Sequence, residues 1–390
     1  FDSRVGDRGV RLSGGERLLL PGRPFVYGDA YSPVVLVHDD RFAVGVSLIY
    51  DILEAKHTVS MGWRMEGGAW WGQFHATFDL SGRKMKDAIA PGESAGYRLA
   101  VRFAEPDTPR KALEPYKTFF RKKYGKVRYT ADRRPVMALA LSMDAFLNDD
   151  NPRGFGAQNR MDLIGWRKTV DTLLELGVEN GYRRSMLWRA SGVYSKGHNF
   201  PVEFMTGWPE KMVETVGELD RLRDKGMDIG LWWGHSSHVS AGWNSGKMWA
   251  RDIDKKSDVQ AAWAELDLAK KYGIDEVGLD AFSAIPVWDR YRFMKTMQTR
   301  YPDIEFTTEP ADVDFMHTLA PTFCWYHKQQ GRATLADWLN PGHETWMFMQ
   351  ARQVNVEWFK NSIEWGLTPV TMWKPVKHRV TEQGEVEVLE

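Results

Sequence analysis

The sequence predicts an α/β chain: a (β/α)8 barrel preceded by an antiparallel β-sandwich. Three observations carry this. The first hundred residues hold short β-branched and aromatic runs separated by Gly, Pro and Asp, with no long helical pattern among them. From Pro135 onward, apolar runs alternate with helical segments. No glycine-rich turn follows the first of those runs, where a doubly wound nucleotide-binding sheet would need one.

In the leading region, Phe25-Val26-Tyr27, Val34–Val37 and Phe42–Val46 read as short strands. Tyr97–Phe103 alternates apolar and polar residues, as a strand with one buried face does. The sandwich is expected over residues 1–108. A connecting helix follows within 109–134, with Ala112, Leu113, Tyr116, Phe119 and Phe120 on one face and Lys and Arg opposite.

The barrel is expected over residues 135–376. Strand one is Val136–Leu141, apolar throughout as a strand buried on both faces requires. A helix is expected near Arg160–Leu176, then strand two at Ser185–Trp188. Met212, Val213, Val216, Leu219 and Leu222 mark a helix closed by Gly226, before strand three at Ile229–Trp233. Val259, Ala262, Trp263, Leu266 and Ala269 mark the next, closed by Gly273, before strand four at Val277–Leu279. The helix Trp288–Arg300 leads to strand five at Ile304–Thr307. Further strands are read at Thr322–Trp325 and Pro369–Met372, while 328–342 is irregular and strand seven is not placed. Residues 377–390 read as a tail or the start of another β segment.

Composition narrows the function classes. Lys plus Arg and Asp plus Glu number 52 each, so the formal charge is zero, against a nucleic-acid binder. One cysteine excludes an internal disulfide framework and a cysteine-rich zinc site. No run approaches the roughly 18 apolar residues of a membrane span. The chain begins at Phe1 without Met or leader, as a processed or partial chain would. Its compartment stays open, with a secreted or periplasmic setting favoured, and its oligomeric state is not legible. The 18 tryptophans are the unusual count.

In a barrel, chemistry belongs where strands end and the following loops begin. The strands run out at Asp144, Trp188-Arg189, Trp232-Trp233-Gly234-His235, Asp280, Glu309, Trp325-Tyr326-His327 and Trp373-Lys374. One such acid is explained as a cap of the next helix; Glu309, followed by Pro310-Ala311, reads that way too. Trp232 and Trp233 alternate faces, so at least one of them belongs to the core. Three acids, several cations and several tryptophans at one rim suit a sugar. A pyranose lies flat on an indole, and its hydroxyls need charged partners. Glycoside hydrolysis needs two carboxyl groups about 5–5.5 Å apart for retention or about 6.5–9.5 Å for inversion. Asp280 and Glu309, on adjacent strands, are the candidate pair. Asp144, Trp188, Arg189, Lys196, Trp232, Trp233, His235, Asp314, Trp325, His327, Trp373 and Lys374 are the candidate substrate-binding residues, the cations suited to hydroxyls or an acidic substituent. No metal or cofactor is expected: there is no HExxH, and His235 and His238 lack a helical spacing.

The chain resembles the clan of retaining α-galactosidases and related α-glycosidases that carry an N-terminal β-sandwich before the barrel. The matching residues are Ala90–Ser94 with the alternating strand after it, Ala112–Tyr116, Trp208–Lys211, Lys225–Trp232 and Tyr272–Asp280. The resemblance implies Asp280 as nucleophile and Asp144 as a binder of sugar hydroxyls. It also implies an acid/base aspartate at the end of strand six. Here that place reads Cys324-Trp325-Tyr326-His327-Lys328, without a carboxylate. Glu309, Asp314 or Glu344 would have to take the role. The alternatives are a carbohydrate-binding barrel without catalysis and a retaining glycosidase of another barrel clan, such as an α-fucosidase-like enzyme.

Overall fold

A computed structural model describes residues 7–11, 17–21, 32, 34–38, 41–49, 58–66, 69–77, 92, 98–140, 165–188, 202–242, 247–285, 287–309, 314–325, 338–350, 356–364, 366–373, 378–380 and 386–388. The chain forms two compact units. One takes Phe1–Thr130, Ala311–Leu319 and Trp325–His343; the other takes Ala131–Pro310, Ala320–Cys324 and Glu344–Glu390.

In the first unit, β1 (Asp7–Arg11), β2 (Arg17–Pro21), β3 (Val34–His38), β4 (Ala43–Ile49) and β7 (Arg98–Ala104) form an antiparallel sheet in the order β1-β2-β3-β4-β7. A separate hairpin pairs β5 (Thr58–Glu66) with β6 (Ala69–Thr77). Valine-rich β3 and β4 pair Val35 with Val46, and Val46 in turn faces Val101 of β7. β4 carries Gly45 because a Cβ there would lie 2.3 Å from the carbonyl oxygen of Ala112. That close approach seats the 3-10 turn Pro109–Leu113 on the strand. α1 (Glu114–Lys123) continues from it and buries Tyr116 and Phe120, as its periodicity predicted. Tyr124 joins them, its ring 5.3 Å from Phe120 and 5.1 Å from Phe315. The alternating strand expected at Tyr97–Phe103 differs in one respect. Its apolar row, Leu99, Val101 and Phe103, is exposed, Phe103 at 71%. The reading at Phe25–Tyr27 lies outside the described residues.

The second unit holds the barrel. Its strands in chain order are β8 (Val136–Ala140), β9 (Arg184–Trp188), β10 (Asp228–Trp233), β13 (Glu276–Leu279), β14 (Glu305–Thr308), β15 (Thr322–Trp325), β16 (Thr345–Gln350) and β17 (Thr368–Trp373). They close in that order into a parallel barrel. A short hairpin of β11 (His238–Ser240) and β12 (Met248–Ala250) follows β10, and β18 (His378–Val380) pairs β19 (Val386–Val388) after the barrel. β9 and β13 are buried along their whole length, the apolar residues covered on both faces and the polar Arg184 and Glu276 paired with one another at the start.

Among the described residues, helices follow β8, β9, β10, β13 and β16: α2 (Arg167–Thr172), α3 (Glu210–Glu214) with α4 (Asp220–Arg223), α5 (Lys256–Lys271), α6 (Val287–Arg300) and α7 (Val356–Glu364). The single helix expected over Met212–Leu222 is broken into α3, a 3-10 turn and α4. Thr215 stands at the break, its hydroxyl donating to the Lys211 carbonyl (2.9 Å) and accepting the Trp166 N–H (2.8 Å). The strand that the sequence left unplaced is β16, with the run Thr-Trp-Met-Phe-Met-Gln. Among the described residues no helix is long and apolar enough to cross a membrane.

The N-terminal end of the barrel is closed by a buried arginine. Arg184 opens β9 and donates to both carboxylate oxygens of Glu276 at 3.2 Å. It also donates to Glu344 at 2.8 Å, with its guanidinium 4.8 Å from the Trp346 ring centre. Trp346 Nε1, Thr368 Oγ1 and the Asp132 N–H satisfy the rest of Glu344, and Thr307 Oγ1 donates to Glu276. Glu344 therefore precedes its strand and is fully engaged at the end opposite the strand termini. This corrects its candidacy as an acid/base.

Candidate active site at the strand termini

Parallel register places Leu279 opposite Thr308, so the next residues, Asp280 and Glu309, leave neighbouring strands at one level. Residues at one level on adjacent parallel strands point the same way. Their carboxyl groups meet in a hydrogen bond. The backbone holds them there: the Asp280 N–H donates to the Trp233 carbonyl and the Glu309 N–H to that of Leu279, each at 3.1 Å.

The turn after β10 clamps Asp280 further. The His235 N–H donates to Asp280 Oδ2 at 3.0 Å. Ser236 gives both its N–H (3.0 Å) and its hydroxyl (2.7 Å) to the Asp280 carbonyl. The Ala281 N–H donates to the Glu309 carboxyl. Asp280 is 8% exposed and Glu309 half-buried.

Burial is the first reason that Glu309 holds its proton. The hydrogen bond and charge of Asp280 add to it, and together they push Glu309 up to about 9 against the pull of the Ala281 N–H. At neutral pH it is an acid with a proton to give.

The dryness has a visible source. Trp232 lies in register with Gly278, two residues short of Asp280 and on the same inward face. Its indole stacks on Trp188, and the edges of Phe323 and Phe348 close the layer, 5.5 Å from Trp232 and 5.0 Å from Trp188 respectively. Gly278 is required here: a Cβ would stand 2.0 Å from Trp232 Cε3.

Several expected substrate contacts need correction. Trp188 and Trp232 spend their faces on each other and are 3% and 0% exposed. Trp233 also is fully buried but on the outer face, because strand residues alternate. Its Nε1 donates to the Val202 carbonyl (2.7 Å), and its ring stacks on Phe204 at 5.0 Å. Asp314 is buried in the first unit, accepting Tyr116 Oη (2.6 Å), Ser32 Oγ (2.7 Å) and the Phe315 N–H (2.8 Å). Burial pushes it up to about 7. Its oxygens are occupied by the fold, which removes it as an acid/base or sugar ligand.

His235 does reach the pair, but through its backbone. Trp325 and Trp373 end β15 and β17. Asp144, Arg189, Lys196, His327 and Lys374 lie outside the described residues. Sequence reasoning missed Ser236 and Ala281, whose contributions are a backbone shape and a small hydroxyl. Among the described residues no group of three or more His, Cys, Asp or Glu is arranged to hold a metal ion.

No protein-family model matches the sequence, and no curated protein matches it. Solved structures do. An α-galactosidase from Thermus thermophilus, in complex with stachyose, aligns at a TM-score of 0.51 and 14% identity over 89% of this chain and 77% of its own. A ligand-free α-N-acetylgalactosaminidase from Bifidobacterium bifidum aligns at 0.56 and 12% identity, over 91% and 69%. Its GalNAc complex aligns at 0.55 and 13% identity, over 94% and 69%. At these identities the likeness is one of fold, and the fold of this chain is similar to that of solved α-galactosidase and α-N-acetylgalactosaminidase structures.

Proposed function

We propose that the chain is a glycoside hydrolase that cleaves an α-glycosidic bond in an oligo- or polysaccharide with retention of configuration. The observation that carries this reading is the Asp280–Glu309 pair at the strand termini, with Glu309 holding a proton at neutral pH. The fold likeness to a solved α-galactosidase and a solved α-N-acetylgalactosaminidase supports it.

In this reading Asp280 attacks the anomeric carbon, forming a glycosyl–enzyme ester as the bond to the leaving oxygen breaks. Glu309 gives that oxygen its proton. Water then attacks the anomeric carbon, gives a proton to Glu309 and releases Asp280. A retaining pair stands about 5–5.5 Å apart. The bound sugar must therefore part the two carboxyls, moving the Glu309 proton from Asp280 to the glycosidic oxygen. Asp144, Arg189, Lys196, His327 and Lys374 are the proposed hydroxyl and substituent contacts. The exposed row Leu99, Val101 and Phe103 supports a sandwich for the leading region, since a second layer would cover it.

The test uses a panel of aryl α- and β-glycosides. Asp280→Asn abolishes turnover on every substrate. Glu309→Ala loses most on poor leaving groups, and azide restores it as a glycosyl azide of retained configuration. Near-wild-type activity in Asp280→Asn overturns the reading. The same close contact favours one second reading, a carbohydrate-binding barrel without catalysis. It predicts sugar binding with no turnover on any member of the panel.

A further inference from the structure

Among the described residues, two that are not glycine hold a left-handed backbone: His235, with φ 49°, and Ala281, with φ 51°. A Cβ makes that conformation unfavourable, and it persists where the surroundings fix it. These same two residues supply the backbone donors of the carboxyl pair. The His235 N–H reaches Asp280 Oδ2 at 3.0 Å, and the Ala281 N–H reaches the Glu309 carboxyl.

Both occupy the same place relative to their strands, two residues beyond β10 and two beyond β13. A left-handed residue turns the chain sharply, taking a strand's next N–H out of the ladder, as in the backbone concavities that receive anions. The fixing contacts are present. Ser236 binds the Asp280 carbonyl through both its N–H and its hydroxyl, and Ala281 leads directly into the 3-10 turn Phe282–Ala284. Glycine would adopt these angles without strain, but it would also leave them freely.

We propose that His235 and Ala281 are positioning residues, whose left-handed backbones aim one N–H at each carboxyl and so orient the nucleophile and the acid each on its own strand terminus. This rests on the hydrolase reading above for the roles of the two carboxyls. The directing geometry itself is independent of turnover.

The test compares Ala281→Gly and His235→Gly with the parent chain at full length. Three readouts are the denaturation midpoint, turnover with its KM, and the Glu309 titration, the last followed by carbon NMR of labelled glutamate carboxyls and assigned with Glu309→Gln. Among the described residues the charged group acting on Glu309 is Asp280, so a changed donor at Ala281 registers directly. The expected result is an equal or higher midpoint in both variants, with Glu309 titrating higher in Ala281→Gly. Turnover falls about tenfold or more in both, with KM little changed. Ala281→Asn, a residue that tolerates the left-handed region, restores the parent titration. A lowered midpoint in the glycine variants, or an unmoved Glu309 titration in Ala281→Gly, overturns the inference. A parent chain without turnover would instead overturn the hydrolase reading, leaving the titration to decide this one.

Discussion

The indole of Trp188 lies flat on that of Trp232, with ring centres 4.0 Å apart and planes 10° apart. The two occupy facing positions on adjacent strands, so the stack fills the barrel directly below the carboxyl pair. Trp232→Ala is expected to destabilise the chain by about 3–5 kcal/mol, read from chemical denaturation. Gly278→Ala, forcing a methyl against the same indole, is expected to cost about 1–3 kcal/mol. In the double variant the two losses should sum to well over the measured total, since removing the indole removes the clash. Simple additivity would show that Gly278 is not there for Trp232.

At the opposite end, Arg184 is the cation between Glu276 and Glu344, and all three are buried. Arg184→Met leaves two buried carboxyls without their counter-charge. The expected loss is about 3–5 kcal/mol. Adding Glu276→Gln and Glu344→Gln should recover part of it, because a neutral amide is cheaper to bury than an unpaired charge. A single Arg184→Met variant as stable as the parent would mean that the triad does not hold the barrel end together.

Asp314 makes stability depend on pH. Its folded pKa, raised by burial to about 7, stands above the 3.8 of an ordinary Asp. The folded state thus holds its proton more tightly than the unfolded state, and stability falls as pH rises from about 4 through 7. Glu265, also buried and pushed up to about 7, acts in the same direction. Asp314→Asn, neutral throughout, should flatten the decline by up to about 4 kcal/mol at pH 7 and above. Parallel pH–stability curves for variant and parent would contradict this.

The strands that sequence made legible are those with continuous β-branched or aliphatic runs, such as Val136–Ala140 and Val277–Leu279. β16 escaped because Trp346-Met347-Phe348-Met349 lacks β-branched residues and follows an irregular stretch. Asp280 and Glu309 were legible as a pair, since consecutive strands of a barrel are neighbours. Glu344 was not separable from them, because type and spacing do not tell which end of a strand a carboxylate occupies. The tryptophans were located at the ends of the strands, but whether an indole meets a ligand or another indole is decided by packing. Ala281 left no trace, for a left-handed φ is not written in the letter alanine.

In the proposed reading, Glu309 would link activity and stability through one proton. Its folded pKa of about 9 lies far above the 4.5 of an ordinary Glu, first through burial and then through Asp280. If it is the acid, kcat/KM falls as pH rises through about 9, and that limb is absent from Glu309→Gln. The same raised pKa means that the folded state loses stability as pH rises from about 4.5 towards 9. Glu309→Gln carries no proton to lose, so it should be less active than the parent yet more stable at pH 8, with the difference vanishing near pH 4. Denaturation midpoints at the two pH values check the stability half, and a pH–rate profile checks the other. A variant less stable than the parent at pH 8 would show that the proton is not held by the environment described, whatever the fate of its turnover.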